Sequence, residues 1–310
     1  MLDIFPPAPS YLVQASKPLA DFIGLWTIPH HIHEVLAALL AYQIIFSVIS
    51  PFASSRLAPK RYHGLSSSRR ISWNAHVTSL IQSTFITFLA LYVIWSDEER
   101  RNMDWVGRIW GYTGAIGAVQ GLAAGYFLWD LMLSIVHFKV FGSGSLAHAV
   151  SALLVTSMGF RPFANYYGLN FILYEISTPF LNIHWFCDKL NMTGSRIQLY
   201  NGIALMTTFF CSRVLWGNYQ SLCIYRDVWT ALHTPTIDLK YASETSIFDY
   251  MTTTGLDVVS NSHDMKLPLW LVFVYLGSNT LLSFLNMYWF SKMVETMRKR
   301  FQPPHAKKDN

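Results

Sequence analysis

Asp130, His137, His148, Glu175 and His184 lie inside stretches otherwise apolar enough to sit in a bilayer, joined by Asn182 and a Ser177-Thr178-Pro179 break. A charged side chain at the bilayer centre costs roughly 2.5–3.5 kcal/mol on insertion scales, so lipid-facing copies are rare. So many in one part of the chain imply a shared interior. A histidine with a carboxylate nearby can act as general base, nucleophile or headgroup ligand. Asp130 and His137 are two helical turns apart and share a face. Glu175, Thr178 and Asn182 share another, and Pro179 frees the carbonyl of Glu175 and predicts a kink. His137, His148, Asn182 and His184 are expected at similar depth, with Asp130 and Glu175 deeper. The interior is expected to bind a lipid through Asp130, His137, His148, Glu175, Asn182 and His184. Arg213 is expected to snorkel or to pair with an acid.

The elements that must position these groups are transmembrane helices. The 310 residues are 52% hydrophobic and only 13% charged, too apolar for an ordinary soluble domain. Seven apolar runs predict spans at 34–52, 74–95, 109–137, 147–160, 166–185, 197–217 and 267–291, of which 147–160 is short for a bilayer. Trp73, Trp95, Trp105 and Trp185 fall near predicted span ends, as an interfacial belt requires. The expected organisation is an amphipathic non-cytosolic segment at 1–33, a first span at 34–52 and a basic cytosolic linker at 53–73. A helical bundle follows over 74–291 with a long, partly ordered, membrane-hugging loop at 218–266, then a basic cytosolic tail at 292–310. The small residues of span three, including Gly117, Gly121 and Gly125, predict close helix approach.

Segment 53–73 carries Arg56, Lys60, Arg61, Arg69 and Arg70 with no acid, and the tail is also basic. The positive-inside rule places both in the cytosol and the N-terminus on the other side. The formal charge of +5 fits anionic headgroups rather than nucleic acid. Lys307 and Lys308 match a di-lysine retrieval signal, implying an endoplasmic reticulum membrane and recognition by coat machinery. No cofactor and no metal site are expected. The His30-His31-x-His33 cluster lacks a fourth ligand and reads as solvated, and Cys187, Cys211 and Cys223 have no metal spacing. No phosphate loop, nucleophile elbow or dinucleotide fingerprint occurs.

The string Gly125-Tyr126-Phe127-Leu128-Trp129-Asp130, then His148, then Tyr174-Glu175-Ile176-Ser177-Thr178-Pro179-Phe180-Leu181-Asn182 with Trp185-Phe186, resembles the TLC-domain family. That family groups translocating-chain-associating membrane proteins, ceramide synthases and a ceroid-lipofuscinosis protein. The likeness covers about 70–293 and is strongest to the small transmembrane TLC-domain-containing proteins. It implies an all-α polytopic protein of about seven transmembrane helices, six of them in a barrel around a central cavity. It also implies lipid binding, sensing or movement in membrane lipid homeostasis. The alternative is a ceramide-synthase-like N-acyltransferase, with His148 and Asp130 catalytic and acyl-CoA and a sphingoid base as substrates. The matching histidine pair reads His148-Ala149 here, and its missing second member weighs against acyl transfer. The expected partners are a membrane lipid and coat machinery, with a homo-oligomer allowed for.

Overall fold

The computed structural model describes residues 4–161, 163–234 and 267–301. Among these every regular element is a helix. A short amphipathic helix α1 (Ser10–Ile23) precedes α2 (Ile28–Leu57), α3 (Ser67–Ser96), α4 (Gly114–Val136) and α5 (Phe138–Met158). The fifth expected span is broken into α6 (Asn165–Ile172), a 3-10 stretch (Leu173–Ser177) and α7 (Thr178–Lys189). The sixth runs as α8 (Arg196–Phe209), a π-helical turn (Phe210–Trp216) and α9 (Gly217–His233). The last is α10 (Leu269–Phe301). By length and composition five helices can cross a membrane: Ile28–Leu57, Ser67–Ser96, Trp105–Val136, Phe138–Met158 and Leu269–Arg298. The protein is thus an all-α, multi-pass membrane protein. Large apolar side chains such as Leu40, Phe88, Phe273 and Phe284 point outward, where hydrocarbon solvates them.

Neighbour relations close a ring. Helix α3 packs on α4, α4 on α5 and α5 on α10. Helix α10 then meets the α8–α9 segment, that segment meets α6–α7, and α7 returns to α3. Helix α5 begins at Phe138 and is kinked at Gly142, whose φ of 78° and ψ of −179° interrupt the helical backbone in a conformation glycine adopts without Cβ strain. Span four is therefore longer than its apolar core at 147–160 suggested.

Three expectations of organisation need correction. The first span is not separated from the bundle by a linker: α2 lies along α4, and the small residues of α4 serve that contact. A Cβ on Gly125 would collide with the backbone of Val35 and with Ala38, while Gly121 faces Glu34 and His31. The 53–73 segment is largely helical, with Pro59–His63 between α2 and α3. The beginning of the 218–266 stretch is helix α9, since Asp227 and Gln220 meet buried polar partners on neighbouring segments, Arg108 and Tyr167 for the first and Asn170 for the second. Its remainder, 235–266, and the lysines 307 and 308 lie outside the described residues. Gly125→Leu is expected to cost about 1–3 kcal/mol through overpacking against α2. A thermal melt of the detergent-solubilised protein checks this; an unchanged Tm would mean α2 does not seat on α4 as described.

The end of the ring away from the basic segments is fastened by buried polar groups. Arg108 donates through Nε to Asp227 Oδ2 at 2.6 Å and through its second terminal nitrogen to Oδ1 at 3.0 Å. Tyr167 Oη donates to Asp227 Oδ2 at 2.6 Å. Arg100, 3% exposed, donates to Asn170 Oδ1 at 2.5 Å and lies over the Tyr166 ring at 4.3 Å. Burial lowers the basicity of this guanidinium, with Tyr166 and Asp97 opposing the shift.

Candidate functional site

Each wall of the ring sends a polar side chain inward. The break around Pro179 is what presents Glu175: proline has no N–H and crowds the preceding turn, so the chain tightens to 3-10 geometry over Leu173–Ser177. The carbonyl of Glu175 is not left open, however, because the Thr178 N–H takes it in the tightened turn. Opposite, the chain widens into π-helical turns over Phe210–Trp216, and Arg213 projects from the middle of that widening.

Arg213 is the hub. It is 7% exposed. Its Nε donates to Ser177 Oγ at 3.0 Å and Nη1 to Asn286 Oδ1 at 3.2 Å. Its Nη2 donates to Thr178 Oγ1 at 2.9 Å and pairs with Glu175 Oε1 at 3.5 Å. Four acceptors from three segments hold one planar fork, which suits guanidinium and no other cation. The expected pairing of Arg213 with an acid is thus realised, but in the interior of the ring. Its charge also reaches His148.

Asp130 lies on α4 one turn below Tyr126 and interacts electrostatically with Glu175. The Tyr126 hydroxyl approaches Ser79 of α3, and the Tyr126 ring meets Tyr42 of α2 edge-on with centroids 5.2 Å apart. Asp130 and His148 face the neighbouring helices and keep part of their surface accessible. The His148 ring sits between Phe127 and Trp289, with centroids 6.4 and 5.7 Å away. Its Nδ1 is buried without a partner among the described residues. A buried imidazole nitrogen in that condition can still take a ligand's donor or acceptor where a ligand displaces its neighbours.

The remaining expected residues divide. Asn182, 1% exposed, is drawn to α3: its Oδ1 accepts from His76 Nδ1 at 2.7 Å and its Nδ2 donates to Ser79 Oγ at 3.1 Å. His137 is half-buried where α4 ends, and His184 lies beside Gly202 of α8, so neither joins Asp130, His148 and Glu175. The common depth expected for His137, His148, Asn182 and His184 does not hold either. His148 is level with Phe127, on the opposite side of Asp130 from His137. The reason is that α5 starts at Phe138, so His148 lies well inside the helix rather than at its opening. The chain end opposite the basic segments holds another surprise. His31 is buried against Tyr112 and 3.4 Å from Glu34, and the partly exposed His33 lies 2.9 Å from Glu34, so the cluster is packed and paired rather than fully solvated. Among the described residues no three metal-ligating side chains converge.

Sequence reasoning missed His76, Ser79 and Asn286. The spacing of His76, Ser79, Gln82 and Ser83 marks a polar stripe on an otherwise apolar helix, and that was the available signal.

Comparison with known proteins agrees with this geometry. The sequence profile of the TLC domain matches residues 72–295, which takes in every wall of the ring. An uncharacterised TLC domain-containing protein of Schizosaccharomyces pombe is 34% identical over 297 residues, covering 96% of this chain and 89% of that protein. Topoisomerase I damage affected protein 4 of Saccharomyces cerevisiae is 28% identical over 287 residues, covering 90% and 89%. Human TLC domain-containing protein 4 is 28% identical over 176 residues, covering 56% and 65%. The chain belongs to the TLC-domain family.

Proposed function

We propose that the interior of the ring receives the polar end of a membrane lipid, and that the protein binds, senses or moves that lipid in membrane lipid homeostasis. The proposed setting is the endoplasmic reticulum membrane, with the N-terminus luminal and the basic segments cytosolic. The observation that supports the reading is the meeting of Asp130, His148, the Glu175–Arg213 pair and Asn286 from different walls of the ring. A lipid-facing wall would not carry these groups, and purely structural ones would be fully paired.

The Arg213 fork is already occupied by protein acceptors, so Asp130 and His148 are the groups free to meet a ligand. Acyl transfer would ask for a base held by a second group. His148 is followed by the buried Ala149, and its Nδ1 lacks a partner among the described residues. Lipid binding therefore suits the site better than catalysis.

The full-length protein, purified in mild detergent, should retain one lipid class identifiable by mass spectrometry. Asp130→Ala and His148→Ala are expected to lower its retention by about tenfold, the equivalent of ~1.4 kcal/mol. Leu199→Ala, on the outer surface, should leave it unchanged. Equal retention across all variants would overturn the reading. N-acylated product from acyl-CoA and a sphingoid base, lost in His148→Ala, would replace it with acyl transfer.

A further inference from the structure

At the basic end of the ring α3 and α7 build a second polar site, outside the Asp130–Arg213 interior. The His76 ring stacks on Trp185 with centroids 4.1 Å apart and planes at 24°. Lys189 Nζ lies 5.1 Å from the same indole centroid, and its charge reaches His76. Trp73 and Phe186 back the indole at 5.9 and 5.2 Å, and Trp73 is tied by its Nε1–H to Ser54 Oγ at 2.8 Å. The platform is therefore rigid.

Asn182 decides the chemistry of the imidazole. Its Nδ2 is committed to Ser79, so its oxygen faces His76 and accepts the Nδ1 proton. In the neutral ring that leaves Nε2 as a bare acceptor, which none of the described hydrogen bonds uses. A ligand must bring a donor to it. The positive charge of Lys189 alongside disfavours an ammonium donor and favours a hydroxyl carried by an anion. Arg61 joins the same end, its guanidinium lying against the Asn191 side-chain amide. Asp188, the acid nearest in sequence, is turned away and held by Gln198 and Thr193.

We propose that His76 and Lys189 form a headgroup site for a phosphodiester lipid bearing free hydroxyls, Lys189 pairing with the phosphate and His76 Nε2 accepting from a hydroxyl. Trp185 supplies the surface on which the headgroup rests. The site does not depend on the interior reading, because none of its residues touches Asp130 or Arg213.

The test uses full-length protein in phosphatidylcholine nanodiscs into which phosphatidylglycerol is titrated, with bound lipid counted by native mass spectrometry. Wild type is expected to enrich phosphatidylglycerol about fivefold over phosphatidylcholine, ~1 kcal/mol. Lys189→Gln, at an exposed position, should abolish the enrichment at unchanged Tm. His76→Phe keeps the ring on Trp185; it should erase the preference for phosphatidylglycerol over its hydroxyl-methylated analogue while keeping the preference for charge. Asp130→Ala should leave both preferences intact, which separates this site from the interior one. No enrichment in wild type, or enrichment untouched by Lys189→Gln, would overturn the proposal. Displacement by water-soluble glycerol phosphate at equal concentration would overturn the assignment to a lipid.

Discussion

Arg213→Met is expected to destabilise the protein by about 3–5 kcal/mol, because it leaves the Glu175 carboxylate buried without its counter-charge. Glu175 is 8% exposed, and Ser177, Thr178 and Asn286 would lose their donor in the same substitution. Arg213→Lys should recover only part of the loss, since one ammonium cannot span acceptors on the 3-10 stretch, α7 and α10 together. The double variant Glu175→Met/Arg213→Met should be more stable than Arg213→Met alone, because no orphaned charge remains. Chemical denaturation in detergent micelles measures all three. A single variant no less stable than wild type would show that the guanidinium is not the fastener of the interior.

The second large effect lies at the opposite end of the ring. Asp227→Ala should cost about 3–5 kcal/mol by stranding Arg108 and the Tyr167 hydroxyl. Asp227→Asn keeps the shape and should cost less, since one oxygen still accepts while the charge-assisted component is lost. Helix α9 is then expected to detach from the Trp105–Trp110 turn, which limited proteolysis between 217 and 234 would detect. Resistance to cleavage equal to wild type would mean that α9 is held by its other contacts, the apolar ones through Ile224 and Val228 and the Asn170–Gln220 hydrogen bond.

What could be read from sequence followed from cost. A carboxylate in hydrocarbon is so unfavourable that Asp130 and Glu175 announce an interior whatever the fold. Pro179 announces a break because its ring cannot be accommodated in a regular helix. The ring itself followed from resemblance, and its interior groups from the same penalty on buried charge. Arg213 was legible as a residue that pairs with an acid, but not as the centre of the site. Its position depends on the widened turn at 210–216, for which no local residue type is diagnostic.

Other misses have equally physical causes. The polar stripe through His76 and Ser79 marks a helix face without naming its partner, so the role of His76 stood out only once Asn182 and Trp185 were seen against it. The glycines of α4 promised a close approach without saying to what. Their partner is α2, which hydropathy alone cannot tell from an isolated anchor. Helix α9 carries Asp227 and Arg226 on a mixed face, and its low hydropathy hid a helix whose charge is met inside the protein.

The π-helical widening around Arg213 amounts to one surplus residue in an otherwise regular rod. Excising a single residue between 210 and 216 would let the rod straighten, yet it would also turn everything on one side by about 100° relative to the other. The guanidinium would then swing toward acyl chains while α8 and α9 kept their composition. The chain thus has little freedom to lose length at that point: a deletion of one is expected to be more damaging there than most substitutions.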